Sequence, residues 1–257
     1  MNCRICDSGT EFFSEAKILF KYDIKYYKCP NCGFVQTENP FWLDESYSEV
    51  INKSDIGLIK RNFEFSEITK SVIKSHFNKN AKYVDYGAGY GIFVRLMRDY
   101  GYDFYWQDKY CENLFAKEFE AKNEKYELLT AFEVFEHLKN PLEEIKQMLY
   151  YSDSILFSTF IIPASYPKPE EWWYYALDHG QHISLYSIKS LEQIAKTFGL
   201  NFYTNGKNIH LLSKEKKNGV WFKLITYPYL SKLFIPFSNR KSLHDSDYNY
   251  IIQKLKK

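Results

Sequence analysis

Residues 81–91 of this 257-residue chain, AKYVDYGAGYG, constrain its fold more than any other stretch. The apolar start predicts a short strand, the three glycines a tight turn, and Ile92–Met97 the opening of a helix. Glycine lets the backbone pass close to a ligand where a strand turns into a helix. The register excludes one familiar reading. The dinucleotide pattern G-x-G-x-x-G would need glycine at position 92, where Ile92 stands. The pattern here is D-x-G-x-G-x-G, running from Asp85 to Gly91.

The neighbouring segments extend this unit. Ile59, Phe63, Ile68, Val72 and Ile73 form a stripe of helical period, which predicts a helix over 56–79. Residues 102–108 read as a second strand ending in an acid, Asp108. A carboxylate there can accept ribose hydroxyls, or it can cap a helix over 112–119. A short third strand is expected near Lys117–Glu120, and a fourth at Tyr126–Ala131 leads into FEVFEHL (132–138). Asn140-Pro141-Leu142-Glu143 carries helix-start chemistry: a cap, proline at the first position and an acid in the first turn. Ser154–Phe160 reads as a fifth strand, Ile188–Phe198 as a helix ended by Gly199, and 201–204 with 208–212 as a closing antiparallel pair. This order predicts an α/β fold: a Rossmann-like sheet, mostly parallel with one antiparallel strand, and helices on both faces.

The N-terminus carries different chemistry. Cys3-x-x-Cys6 and Cys29-x-x-Cys32 are two matched pairs, and two such turns complete a four-sulfur tetrahedral shell for zinc. Pro30, Asn31 and Gly33 suit the tight knuckle around the second pair. A four-cysteine zinc ribbon is therefore expected over residues 1–40, with short strands around Phe12-Phe13 and 25–28. Cys111 is left over as an ordinary thiol. The ribbon balances five basic residues against five acidic ones up to Pro40, which makes it a poor partner for phosphates. It reads as structural, forming a wall of a substrate pocket. The sequence shows no signal-peptide pattern and no long apolar span, so a cytoplasmic location is expected.

Together these segments resemble the class I S-adenosylmethionine (SAM)-dependent methyltransferases. Val84–Gly91 is similar to their first motif, Asp108 to their acidic second-strand position, and Leu129–Leu138 to the segment after their fourth strand. The cysteine pairs, followed by Trp42-Leu43-Asp44-Glu45-x-Tyr47-Ser48 and by Asp55-x-Gly57 and Arg61-Asn62, resemble the sugar-modifying branch that serves bacterial polysaccharide and antibiotic pathways. The resemblance implies that Asp85, Gly87, Ala88 and Gly89 hold the methionine end of SAM and Asp108 its ribose. It implies Phe119 and Phe132 as neighbours of the adenine, and Tyr47 over the active site. The implied cofactors are SAM and a structural zinc ion. Unlike dinucleotides, SAM has no pyrophosphate to place at a helix N-terminus, which agrees with the register. The expected organisation is a ribbon (1–40), a linker and helix covering the active site (41–79), a SAM-binding core (80–213) and a basic aromatic segment (214–257).

Methyl transfer is an in-line displacement, so most of the work is holding the acceptor within about 3 Å of the methyl carbon. A sugar hydroxyl also has a proton to lose, and histidine suits that task near neutral pH. In HGQHISLYS (179–187), His182 is the first candidate base and His179 the second. The two can also hydrogen-bond loop backbone or bind a metal. Sugar C-methyltransferases of this branch show Glu before the second His, where this chain has Gln181, so an oxygen acceptor is expected. His137 reads as structural beside the helix start, and Trp172–Tyr175 as an aromatic lid or as core. Residues 214–257 hold ten Lys and Arg against three Asp and Glu, a net of +7 in a chain whose total is +2. That segment is open to three readings: docking on the core or a second subunit, peripheral membrane contact, or a disordered tail. The expected partner is a small carbohydrate-type acceptor rather than nucleic acid. The competing functions are a sugar C-methyltransferase, an RNA methyltransferase and a non-catalytic SAM-binding subunit.

Overall fold

The computed structural model describes residues 1–47, 55–227 and 240–256. Ser48 of the sequence motif and the aromatic run beginning at Pro228 lie outside the described residues. Strands β1 (Glu11–Ile18), β2 (Tyr22–Lys28) and β3 (Val35–Thr37) precede a short helix α1 (Leu43–Ser46) and a long helix α2 (Leu58–His76). Then come β4 (Lys82–Tyr86), α3 (Ile92–Asp99), β5 (Asp103–Gln107), β6 (Leu128–Ala131), α4 (Pro141–Tyr151) and β7 (Ser154–Ser158). The two-residue β8 (Ser184–Leu185) leads to α5 (Ile188–Phe198), β9 (Asn201–Thr204), β10 (Ile209–Ser213), α6 (Gly219–Thr226) and α7 (His244–Leu255).

Six strands hydrogen-bond in the order β5-β4-β6-β7-β10-β9. β4 runs parallel to β5 and β6, and β9 is antiparallel to β10, so the sheet is the Rossmann-like, mostly parallel one expected. The third strand is a correction. Between 117 and 120 the structure has one parallel bridge, Trp106 to Glu120. The cause lies just upstream, where the Asn113 side chain bonds both the amide and the carbonyl of Ala116 (2.9 and 2.7 Å) and curls the chain. Residues 112–119 consequently form turns rather than a helix, so Asp108 has no helix there to cap.

The chain divides into two compact units. The first contains Met1–Ser54, Glu133–Gln147 and Phe157–Lys216. Its second sheet has the order β1-β2-β3-β8, with Val35 opposite Leu185 and Gln36 opposite Ser184. The N-terminal strands therefore share a sheet with the segment that follows the histidines. Trp42, Tyr26, Tyr174, Tyr175, Ile183 and Leu185 fill the core beneath. Ser187 caps α5 by accepting from the Ser190 amide (3.0 Å), and its hydroxyl donates to the Cys32 carbonyl (2.6 Å). One side chain thus fixes both the helix start and the cysteine knuckle. Gly33 adopts φ 72, and a side chain there would collide with the Tyr166 hydroxyl.

The second unit contains Asp55–Phe132, Met148–Leu156 and Lys217–Lys257. Val72, Ile73, Tyr83, Val84, Phe93, Phe104 and Leu128 make its core. The described parts of the basic segment dock here. Asp247 of α7 takes two hydrogen bonds from Arg98 (2.8 and 2.7 Å), whose remaining nitrogen reaches Asp103 and the Phe104 carbonyl. No helix among the described residues is long and apolar enough to cross a membrane. Asp247 also pairs with Arg95 (3.0 Å), so losing it takes a buried carboxylate from two guanidinium groups, of which Arg98 keeps only Asp103. Asp247→Ala should therefore lower the unfolding free energy by about 3 kcal/mol, read from urea titration. Asp23→Ala, in the exposed pair with Lys17, should change it by less than about 1 kcal/mol.

Candidate functional site

The glycine turn after β4 lies within the second unit. Gly87, Gly89 and Gly91 all have positive φ (70, 53 and 89), a backbone only glycine adopts without strain. Open space stands where a side chain of residue 89 would be. The end of β5 clamps the turn from both sides. Asp108 Oδ2 accepts from the Gly89 amide (2.9 Å), and the Trp106 indole N–H donates to the Gly89 carbonyl (2.7 Å). Asp108 Oδ1 also accepts from the amides of Tyr110 and Cys111 (2.7 and 2.8 Å). A carboxylate offers about four lone-pair directions, so three of them are already engaged. Asp85 is fully buried and accepts a 2.6 Å bond from Thr130 Oγ1. Burial, only partly offset by that bond, pushes its carboxyl up to about 8.

Of the two aromatic candidates, Phe119 is buried and Phe132 half-buried. Phe119 is buried under the Arg98 guanidinium, 3.7 Å from the ring centre, and neighbours Tyr250. Phe132 stacks on Phe65 (4.3 Å between ring centres, 7° between planes) and meets Phe93 edge-on. Trp106 as a clamp on the turn was not foreseen. Its only signal was an aromatic residue two places before the strand-end acid.

The four N-terminal cysteines come together in the first unit, with all four sulfurs within 4.8 Å of one another. Cys3 and Cys32 lie 3.6 Å apart, and Cys6 and Cys29 3.5 Å apart. Amides add to the shell: Ile5 N–H points at Cys3 and Cys32 N–H at Cys29, both at 3.4 Å. Four thiols this close cannot all ionise without a cation among them, and the set is able to hold a metal ion.

The histidine segment belongs to the same unit and is held from several directions. The Trp42 indole donates to the Gly180 carbonyl (2.8 Å), and the Gln181 amide donates to the Ser46 carbonyl (2.7 Å). Gln181 is thus a fastener for α1. His182 is buried, with Nδ1 2.6 Å from the Tyr174 carbonyl; His137 Nδ1 is 3.1 Å from the Gln181 carbonyl. A carbonyl can only accept, so both rings carry the proton on Nδ1 and the lone pair on Nε2. His179 is the opposite tautomer, because its Nδ1 accepts from the Gln181 amide (3.3 Å). The His137 and His182 rings meet edge-on at 4.9 Å, and Tyr47 lies 6.3 Å from His137. Burial, with His179 nearby, lowers the His137 pKa to about 4. His137, read from sequence as structural, has Tyr47 and His182 as ring neighbours.

Glu136 completes the cluster. It is 0% exposed, and neither of its carboxylate oxygens has a hydrogen-bond partner. Burial first, and then the charge of Glu133, hold its carboxyl well above the ordinary value, although the Tyr174 and Thr159 hydroxyls face it. Glu133 itself has φ 55 and is fastened through Ser158, which accepts from its amide and donates to its carboxylate (2.8 and 2.7 Å). The positive φ is a strained backbone that the Ser158 bonds help to hold.

A model of the methyltransferase-domain family matches residues 60–205, more than half of the chain. The chain belongs to that family and is a SAM-dependent methyltransferase. No curated protein sequence matches it. Among solved structures, the plantazolicin methyltransferase BpumL, bound to a monoazolic desmethyl-plantazolicin analogue and S-adenosylhomocysteine (SAH), is 15% identical with a TM-score of 0.48. That match covers 75% of this chain and 86% of that one. An O-methyltransferase family 2 protein from Planctomyces limnophilus, in complex with apigenin, is 12% identical with a TM-score of 0.42, covering 65% of this chain and 63% of that one. A SAM-dependent methyltransferase from Thermotoga maritima is 12% identical with a TM-score of 0.40, covering 62% and 92%.

A pH dependence follows from Asp85. Its folded pKa is raised above the ordinary aspartate value, so the folded state holds the proton more tightly than the unfolded chain does. Its share of stability is present below about pH 4 and is lost as pH rises through about 8. Urea midpoints measured from pH 5 to 8 should fall more for the native protein than for Asp85→Asn. Parallel curves would remove Asp85 as their source.

Proposed function

We propose that this methyltransferase acts on a hydroxyl oxygen of a small carbohydrate-type acceptor, a sugar or a phosphoryl group attached to one, in bacterial capsule or surface-polysaccharide synthesis. The observation that carries this reading is the His182 tautomer. With its Nδ1–H committed to the Tyr174 carbonyl, the uncharged ring has its lone pair on Nε2, the atom that takes the hydroxyl proton in this reading. His179, of the opposite tautomer, is a donor at Nε2 and suits positioning of the acceptor. Tyr47, exposed beside His137, covers the acceptor in this reading. Gln181 supplies no carboxylate, and its amide is already spent on Ser46, which favours oxygen over carbon as the target.

Asp85, Gly87, Ala88 and Gly89 hold the methionine end of SAM in this reading. The open space over Gly89 fits close approach of a ligand to the backbone. Asp108, which the Gly89, Tyr110 and Cys111 amides hold in place, accepts from the ribose, and Phe119 and Phe132 flank the adenine end. Bound SAM supplies a methyl group on a sulfonium: the acceptor oxygen forms the new C–O bond while the C–S electrons stay on sulfur, leaving SAH. The ion held by Cys3, Cys6, Cys29 and Cys32 is zinc. Zinc–sulfur bonds of about 2.3 Å in a tetrahedron place sulfurs about 3.8 Å apart, close to the two Sγ–Sγ distances of 3.6 and 3.5 Å.

Two measurements test the assignment. Titration calorimetry with SAH should show Asp108→Ala binding at least about tenfold more weakly, as expected for a lost buried hydrogen bond to ligand. Unchanged affinity removes Asp108 from the ribose. In an acceptor screen with SAH release as readout, His182→Ala should lower kcat/KM by about 10²- to 10⁴-fold while SAH affinity stays as it was. Turnover that survives the substitution rules out His182 as the base.

A further inference from the structure

General-base chemistry at His182 leaves two neighbours unexplained. Glu136 buries both carboxylate oxygens with no hydrogen bond of good geometry, only the Tyr174 and Thr159 hydroxyls facing them, and proteins avoid leaving an interior acid so weakly held. One ligand atom from each of Glu136, His137 and His182 lies within 4.8 Å of the other two. Both imidazoles are turned as metal-ligating histidines are: Nδ1–H on a backbone carbonyl, lone pair on Nε2. His210 shows the contrast. It is fully buried, its Nε2 donates to the Thr159 carbonyl (2.9 Å) and its Nδ1 sits 2.8 Å from the Thr204 hydroxyl, which is a structural arrangement with no carboxylate in it. The strained Glu133 lies three residues before Glu136 and sets the path of the chain into the cluster.

We infer that Glu136, His137 and His182 form a second metal site, which takes a first-row divalent cation. Two imidazoles and one carboxylate are a nitrogen–oxygen donor set for such ions, chemically unlike the four thiols at the N-terminus. Three protein ligands leave open positions for water or for a substrate oxygen. The inference rests on the reading that these histidines serve the acceptor. A hydroxyl coordinated in an open position would lose its proton to solvent water more readily, and His182, holding the ion through Nε2, would then act as a ligand in place of the base.

The full-length protein, stripped with a chelator and titrated with Co²⁺, provides the test. Two equivalents should bind: one with thiolate-to-cobalt charge-transfer absorption, the other with visible d–d bands alone. Glu136→Gln should weaken the second by about tenfold or more and keep the first. Cys29→Ser should do the reverse. His182→Ala approaches the same ion from another ligand, and a retained thiolate band shows that each variant is folded. One equivalent in the native protein, or a second equivalent kept by both Glu136→Gln and His182→Ala, overturns the site. The acceptor reading fails separately. Methyl transfer at full rate by metal-stripped protein that does not bind the second Co²⁺ rejects the ion and leaves His182 as base. A second Co²⁺ bound, with His182→Ala turning over normally, keeps the site and rejects its role toward the acceptor.

Discussion

The pairing of β3 with β8 organises the first unit. Only two residue pairs are involved, Val35 with Leu185 and Gln36 with Ser184, yet they join segments about 150 residues apart in sequence. Such a short ladder is worth little by itself and depends on what surrounds it. Arg4 reaches across from the first cysteine loop to the carbonyls of Thr37, Glu38 and Ile183. Ser187 ties the Cys32 carbonyl to the start of α5. Trp42 and Gln181 then fasten α1 to the loop that carries His179 and His182. The cysteine module and the histidine cluster therefore belong to one cooperative body, in which the geometry of one supports the other.

What could be read from the sequence had local causes. The two C-x-x-C turns declare themselves because each brings its sulfurs together within four residues. The glycine turn is legible because no other residue fits three positive-φ positions so close together. Helix ends at Ser187 and Gly199 follow from capping chemistry. The features that stayed hidden are those decided at long range. β8 is too short to show a period. The grip of Asp247 on Arg98 spans 149 residues, and nothing in either neighbourhood announces it.

Within the candidate site the same division holds. Asp108 was identifiable by its place at a strand end, but not its three amide bonds, which depend on how the chain curls after β5. Phe119 and Phe132 could be named as aromatic, while their packing against Arg98 and Phe65 is a matter of tertiary contact. Glu136 and His137 were visible as neighbours in sequence. Their significance lies in burial and in orphaned oxygens, which no spacing rule reports.

The shared sheet also decides where this protein can be cut. A fragment ending at residue 40 would keep all four cysteines and the β1–β2–β3 meander, and by sequence it looks like a portable module. It would lose β8, and with it the cover over the outer edge of β3. That edge would then present unpaired amides and carbonyls flanked by buried-type side chains, a template for other strands. The ribbon is separable on paper, but as a free peptide it would be adhesive.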